Sequence, residues 1–173
     1  MTLQLNTMIE NQGQIRSMEL PPTWQLLDSH VPAAASPSYV RFGPVNVPQV
    51  ELIIYHAQRP LPREVQESLQ SILAAKENLL TKSQIDSLSV MLREASLQGA
   101  FNFLSARSQD WNGKKVILVE GRWNDTQQDR FWMFIPDSAE CESVQEVWFQ
   151  APVAQYPAHL KQARQAINSI RWA

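Results

Sequence analysis

The sequence predicts a mixed α/β (α+β) fold, a three-layer α/β/α sandwich around a mainly antiparallel central sheet. Strand signals crowd the stretch from Trp24 to His56 and return after Ala100, with a helical middle between them. Asn112-Gly113 stands between two strand-like runs, and this dipeptide readily supplies the two positive φ angles of a tight hairpin. The third observation is two-sided apolarity. In "VILVEGRW", Val116 and Leu118 face one way while Ile117 and Val119 face the other. "FWMFI" behaves alike, with Phe131, Met133 and Ile135 opposed by Trp132 and Phe134. A sheet apolar on both faces requires a covering layer on each.

The elements follow in order. Residues 1–16 are polar and weakly patterned, and read as a flexible arm ahead of a single domain over 17–173. Order starts near "SMELPPTWQLLDSH". The tandem Pro21-Pro22 is barred from a helix interior or a central strand, and Trp24 and Leu26 open a strand beyond it. "VPAAASPS" reads as a flexible connection, and "YVRF" and "VELIIYH" as two strands separated by the turn-rich "GPVNVPQ". In "LPREVQESLQSILAAKENLL", Pro62 suits a first helical turn, and Val65, Leu69, Ile72 and Leu73 recur on one helical face. "TKSQ" is a capping box through Thr81 and Gln84. It opens a second helix with the stripe Ile85, Leu88, Met91 and Leu92, broken at Gly99.

After Ala100, "FNFLSARSQDW" and "KKVILVEGRW" form the hairpin arms, "RFWMFI" stops at Pro136, and "VQEVWF" adds the last strand of a meander. Ala151-Pro152 then turns the chain into a closing helix. Its Leu160, Ala163, Ile167 and Ile170 are expected to seal one sheet face, and the middle helices the other.

Composition excludes several classes. Hydrophobic residues are 44% of the chain and charged residues 18%, enough apolar material for one folded domain. The net charge of -2 and pI near 5.9 lack the basic excess that neutralises phosphates, so nucleic acid is not an expected partner. Cys141 is the only cysteine, which removes intramolecular disulfides and thiolate metal clusters. No apolar run approaches the roughly 20 residues that span a bilayer, and the N-terminus lacks a secretory pattern. The expected location is cytoplasmic, with no integral membrane segment.

Catalytic candidates are weak. The five glycines never approach the spacing of a phosphate loop or a dinucleotide turn, and His30, His56 and His159 show no metal-ligand spacing. Cys141 lies between Glu140 and Glu142, whose charges oppose thiolate formation, and no serine sits in a nucleophile elbow. Glu120 and Glu146 fall within strands beside Arg122 and Arg130. Cross-strand pairing with those arginines is the expected structural role, and acid–base catalysis the competing one. The expectation is no enzyme activity, no cofactor and no metal. Six tryptophans lie on or beside strands or at the terminal helix, where aromatic residues are ordinary core material. The sharper alternative has Trp132 or Trp148, with Arg122 and Arg130, lining a partner-binding groove, since Trp and Arg are favoured interface anchors.

The phrase "LPPTW", the helical middle, the Asn-Gly hairpin with "VEGRW", and the ending "VQEVWFQAPVAQYPAHLKQARQAINSIRW" together resemble the PsbP-like superfamily, whose fold is also seen in a nuclear-import factor that binds the GTPase Ran. The tail is the closest parallel. Pro152, Tyr156 and the Ser169-Ile170-Arg171 finish occupy places where members of that group carry a break, an aromatic residue and a Ser-hydrophobic-Arg ending. The resemblance covers roughly Ser17 to Trp172. It implies an α/β/α sandwich acting without catalysis, as an accessory, assembly or protein-binding factor.

The photosynthetic members carry lumen-targeting or lipoprotein N-termini, and neither signal is read here. A photosystem II-associated role is therefore the lesser alternative. An aromatic-lined pocket carrying an apolar small molecule is the other.

Overall fold

The computed structural model describes residues 7–30, 38–56, 58–92 and 101–173. The Asn-Gly turn forms as its residues demand: φ is 53° at Asn112 and 86° at Gly113, both left-handed. Strands β7 (Phe101–Trp111) and β8 (Lys114–Trp123) pair outward from Trp111 and Lys114. β9 (Gln128–Pro136) and β10 (Ser143–Pro152) continue the meander. β10 then meets strands from the first half of the chain: β5 (Glu51–Tyr55) beside it, followed by β4 (Tyr39–Pro44) and β3 (Trp24–His30). The order is β3-β4-β5-β10-β9-β8-β7, antiparallel throughout, and the short β6 (Arg59–Pro60) also joins β10.

The start of the chain departs from expectation. Instead of a flexible arm over residues 1–16, the chain from Thr7 builds a hairpin of β1 (Thr7–Gln12) and β2 (Ile15–Leu20). β11 (Arg171–Trp172) adds to β2 and completes a second, three-stranded sheet. The physical reason is tertiary. Ile15, Met18 and Leu20 are essentially fully buried, but three residues in a polar stretch give no legible period. A wholly buried Gln145 fastens the turn. Its Oε1 accepts from the Gln14 amide at 2.7 Å, and its Nε2 donates to the carbonyls of Gln12 at 2.8 Å and Tyr55 at 2.7 Å. Gly13, at φ 63°, lies so close to that amide that a Cβ there would sit 2.7 Å from Gln145 Nε2.

Helix α1 (Arg63–Ala74) starts at Pro62 and buries the stripe Val65, Leu69, Ile72 and Leu73. α2 (Lys82–Ser87) begins with the anticipated capping box. Thr81 Oγ1 accepts from the Gln84 amide at 3.2 Å, and Gln84 Oε1 accepts from the Thr81 amide at 2.9 Å. It is one short helix rather than a full amphipathic one, since it caps at Leu88. Met91 and Leu92 are buried from the turns that follow. Gly99 and residues 31–37 of the expected connection lie outside the described residues. α3 (Tyr156–Asn168) buries Tyr156, Ala163, Ala166 and Ile167, while Ile170 is buried just beyond its C-cap Ser169.

The architecture is thus mixed α+β with one large antiparallel sheet. Two apolar clusters divide its faces, as the alternation in β8 and β9 requires. One joins Val116, Leu118, Phe131 and Met133 to α3 and β2; the other joins Ile117, Val119, Trp132 and Phe134 to α1 and the residues after α2. Cover on the first face therefore comes from a helix and a small sheet together, not from the closing helix alone. No helix among the described residues is long and apolar enough to cross a membrane.

Candidate partner-binding surface

Strand order brings together residues that lie far apart in sequence. On the face shared with α1, a polar row runs across five adjacent strands. Asp28 on β3 pairs with Arg41 on β4 at 3.2 Å, and Arg41 reaches Glu51 on β5 at 2.8 Å. Gln150 on β10 donates to Glu51 at 2.7 Å and accepts from Arg130 Nη2 on β9, also at 2.7 Å. The row ends in aromatic rings. The Arg130 guanidinium lies 3.6 Å from the Trp148 ring centre, 4.9 Å from Trp132 and 5.2 Å from Trp123. Stacking of a desolvated cation on an aromatic face is worth about 2 kcal/mol.

This places the four candidate residues. Arg130, Trp132 and Trp148 do come together, but they are buried, at 5%, 2% and 8% exposure. They form an inner wall instead of presenting a groove, because α1 and the residues after α2 cover that face. Arg122 is not with them. The register sets Gly121 opposite Arg130 and Arg122 opposite Asp129, so Arg122 falls on the other face of the sheet. There it grips Asp129 with two bonds of 2.6 and 3.0 Å, and the hydrogen bond to that carboxylate holds the guanidinium still more firmly protonated.

Each strand carboxylate holds an arginine that lies far from it in sequence. Glu146 takes Arg59 on β6 at 2.5 Å and accepts from Trp132 Nε1 at 3.2 Å, while Glu120 pairs with Arg164 on α3. Register sets Glu120 opposite Phe131 and Glu146 opposite Phe134. Burial, with lesser contributions from Asp137 and Glu140, pushes the Cys141 thiol up to about 11. Burial also pushes the Tyr156 hydroxyl upward and lowers the pKa of His56. Among the described residues no three His, Cys, Asp or Glu side chains gather closely enough to hold a metal.

The exposed apolar residues lie elsewhere, at both edges of the large sheet, with Leu104 on β7 and Leu79 beside it 62% and 67% exposed. β3 ends the sheet order, and its Leu26 and Leu27 are 56% and 41% exposed. Successive strand residues point to opposite faces, and a bulge between Leu26 and Asp28 leaves Leu27 without a partner on β4. The other terminal strand, β7, is partly capped: Leu79 bridges Arg107, and Leu80 and Ser108 donate across the gap to Ala106 and Asn78. Leu26 is legible in the sequence as strand, but the edge has no local signal, because it depends on the neighbour order of the whole sheet. Beside the edge, two clefts of about 480 and 500 Å³ flank Pro22 and Thr23. Their walls are mostly proline, glutamine and valine, with Glu19, Leu20, Asn46 and His159 among them and no Trp or Phe.

No protein-family description and no curated protein sequence matches this chain. Solved structures do. The solution structure of cyanobacterial PsbP (CyanoP) from Synechocystis sp. PCC 6803 superposes with a TM-score of 0.58 at 11% identity, over 99% of this chain and 95% of that one. A Pseudomonas aeruginosa protein of unknown function aligns over 93% of this chain and 94% of its own, with a TM-score of 0.45 at 18% identity. This chain, with its large antiparallel sheet, thus adopts a PsbP-like fold.

Proposed function

We propose that the chain is a non-enzymatic accessory module that binds a protein partner on a three-layer, PsbP-like scaffold. The observation that supports this is the edge strand β3, with Leu26 and Leu27 exposed on its two sides. Natural sheets cover, charge or twist such an edge, and an edge left apolar is a template for an added strand of another protein. The strand carboxylates support the non-enzymatic part, since Glu120 and Glu146 are each occupied by an arginine. In this reading Arg130, Trp132 and Trp148 stiffen the sheet behind the edge, and a cytoplasmic location belongs to the proposal.

Affinity capture from native extract with wild-type protein and with Leu26→Lys/Leu27→Lys protein tests it, provided both proteins melt alike. The expected result is a protein recovered by the wild type and lost with the variant. A purified protein that retains an apolar small molecule by mass spectrometry, and captures no protein, would favour the carrier alternative.

A further inference from the structure

The Ser169-Ile170-Arg171 ending splits its roles. Ile170 is buried, and Ser169 Oγ accepts from the Glu19 amide at 2.8 Å, but Arg171 is exposed. Register sets Arg171 opposite Ser17 on β2, and Ser17 opposite Glu10 on β1, so the three form a cross-strand row on the small sheet. A cleft of about 390 Å³ lies over this row, lined by Met8, Glu10, Asn11, Arg16, Ser17 and Arg171. Two arginines and one glutamate therefore line the cleft together with Ser17.

Their lack of partners is informative. Arg41, Arg59, Arg63, Arg122 and Arg164 all pair with carboxylates. Neither Arg16 nor Arg171 makes an ion pair or a side-chain hydrogen bond with a described residue. Glu10 does not neutralise Arg171, because β1 and β11 lie on opposite sides of β2, about 9–10 Å apart at the usual strand spacing. A chain of net charge -2 thus carries a locally cationic cleft.

We propose that this cleft docks an acidic segment of a protein partner, with a Glu or Asp carboxylate held between Arg16 and Arg171 and hydrogen-bonded by Ser17. Guanidinium groups match carboxylates in paired geometry, and Met8, half exposed at the rim, offers apolar contact to the residue beside the acid. The proposal deepens the protein-binding reading and rests on it, but it uses a surface on the small sheet rather than the β3 edge.

The test is fluorescence polarisation with a labelled hexaglutamate peptide at low salt and at 0.15 M salt. Wild-type protein is expected to bind, with affinity falling as salt rises. Arg16→Glu/Arg171→Glu should weaken binding about tenfold or more, while the charge-matched Lys76→Glu/Lys82→Glu control keeps it. Equal loss in the control would overturn the proposal by showing an unspecific charge effect. So would tighter binding of inorganic phosphate, or of phosphatidylserine vesicles, than of the peptide at the same salt. All four substituted residues are exposed, so unchanged melts are expected. Failure here, with capture through Leu26 and Leu27 intact, removes the acidic dock and leaves the edge reading standing.

Discussion

Replacing Gln145 with Leu removes the polar clamp between the two sheets while nearly conserving volume. The change strips hydrogen bonds from the Gln14 amide and from the carbonyls of Gln12 and Tyr55. A buried backbone group left unsatisfied costs about 1–3 kcal/mol, so three such groups set an upper range of about 3–9 kcal/mol. Two corrections lower it. Gln12 and Gln14 are only half-buried, so water recovers part of their loss, and the leucine gains apolar burial. A net loss of about 2–4 kcal/mol follows. In a urea melt the midpoint should fall with little change in slope, and in a thermal scan Tm should drop by about 5–15 °C. Amide exchange over Ile15–Leu20 should accelerate more than exchange in β8 and β9, because the clamp holds the small sheet locally. A variant melting within about 0.5 kcal/mol of wild type would refute the claim that Gln145 joins the sheets.

Further outcomes are expected at three places in the fold. Gly113→Val should cost about 1–2 kcal/mol in a urea melt through backbone strain alone, because φ is 86° there and no atom lies within 4 Å of the added Cβ. Ile170→Ala should cost about 2–5 kcal/mol, and deletion of residues 157–173 should abolish cooperative unfolding, since it removes most of α3 and all of β11. The Cys141 thiol, held near 11, should resist iodoacetamide at pH 8 in folded protein and react on unfolding. Because its folded pKa is raised, the stability linked to its protonated form is complete below about pH 9 and is lost as pH rises through about 11, which a melt series at alkaline pH reads.

What the sequence showed depended on how local each cause was. The Asn112-Gly113 turn, the Thr81-Gln84 capping box and the two-faced strands are set by residues within a few positions of one another, and each forms as its chemistry requires. The hairpin at Thr7–Leu20 escaped notice because its warrant comes from Gln145 and β11, more than 120 residues away. The parts played by Arg59 and Arg164 were hidden for the same reason: residue type suggested an arginine beside Glu120 and Glu146, but only the assembled fold brings these two there. The polar row from Asp28 to Arg130 needed β5 beside β10, and no local pattern encodes that neighbourhood. Trp132 and Trp148 were legible as aromatic anchors, but whether an anchor faces inward or outward is decided by what covers the sheet.

The pairing of β11 with β2 bears on how the chain is made. During synthesis the hairpin of β1 and β2 leaves the ribosome early, while Gln145 and the residues from Arg171 onward follow much later. Until they emerge, Ile15, Met18 and Leu20 have no sealed cover, and the hairpin has an open strand edge that could pair with a neighbouring nascent chain. A late-closing seam of this kind ties completion of the small sheet to the emergence of Arg171 and Trp172.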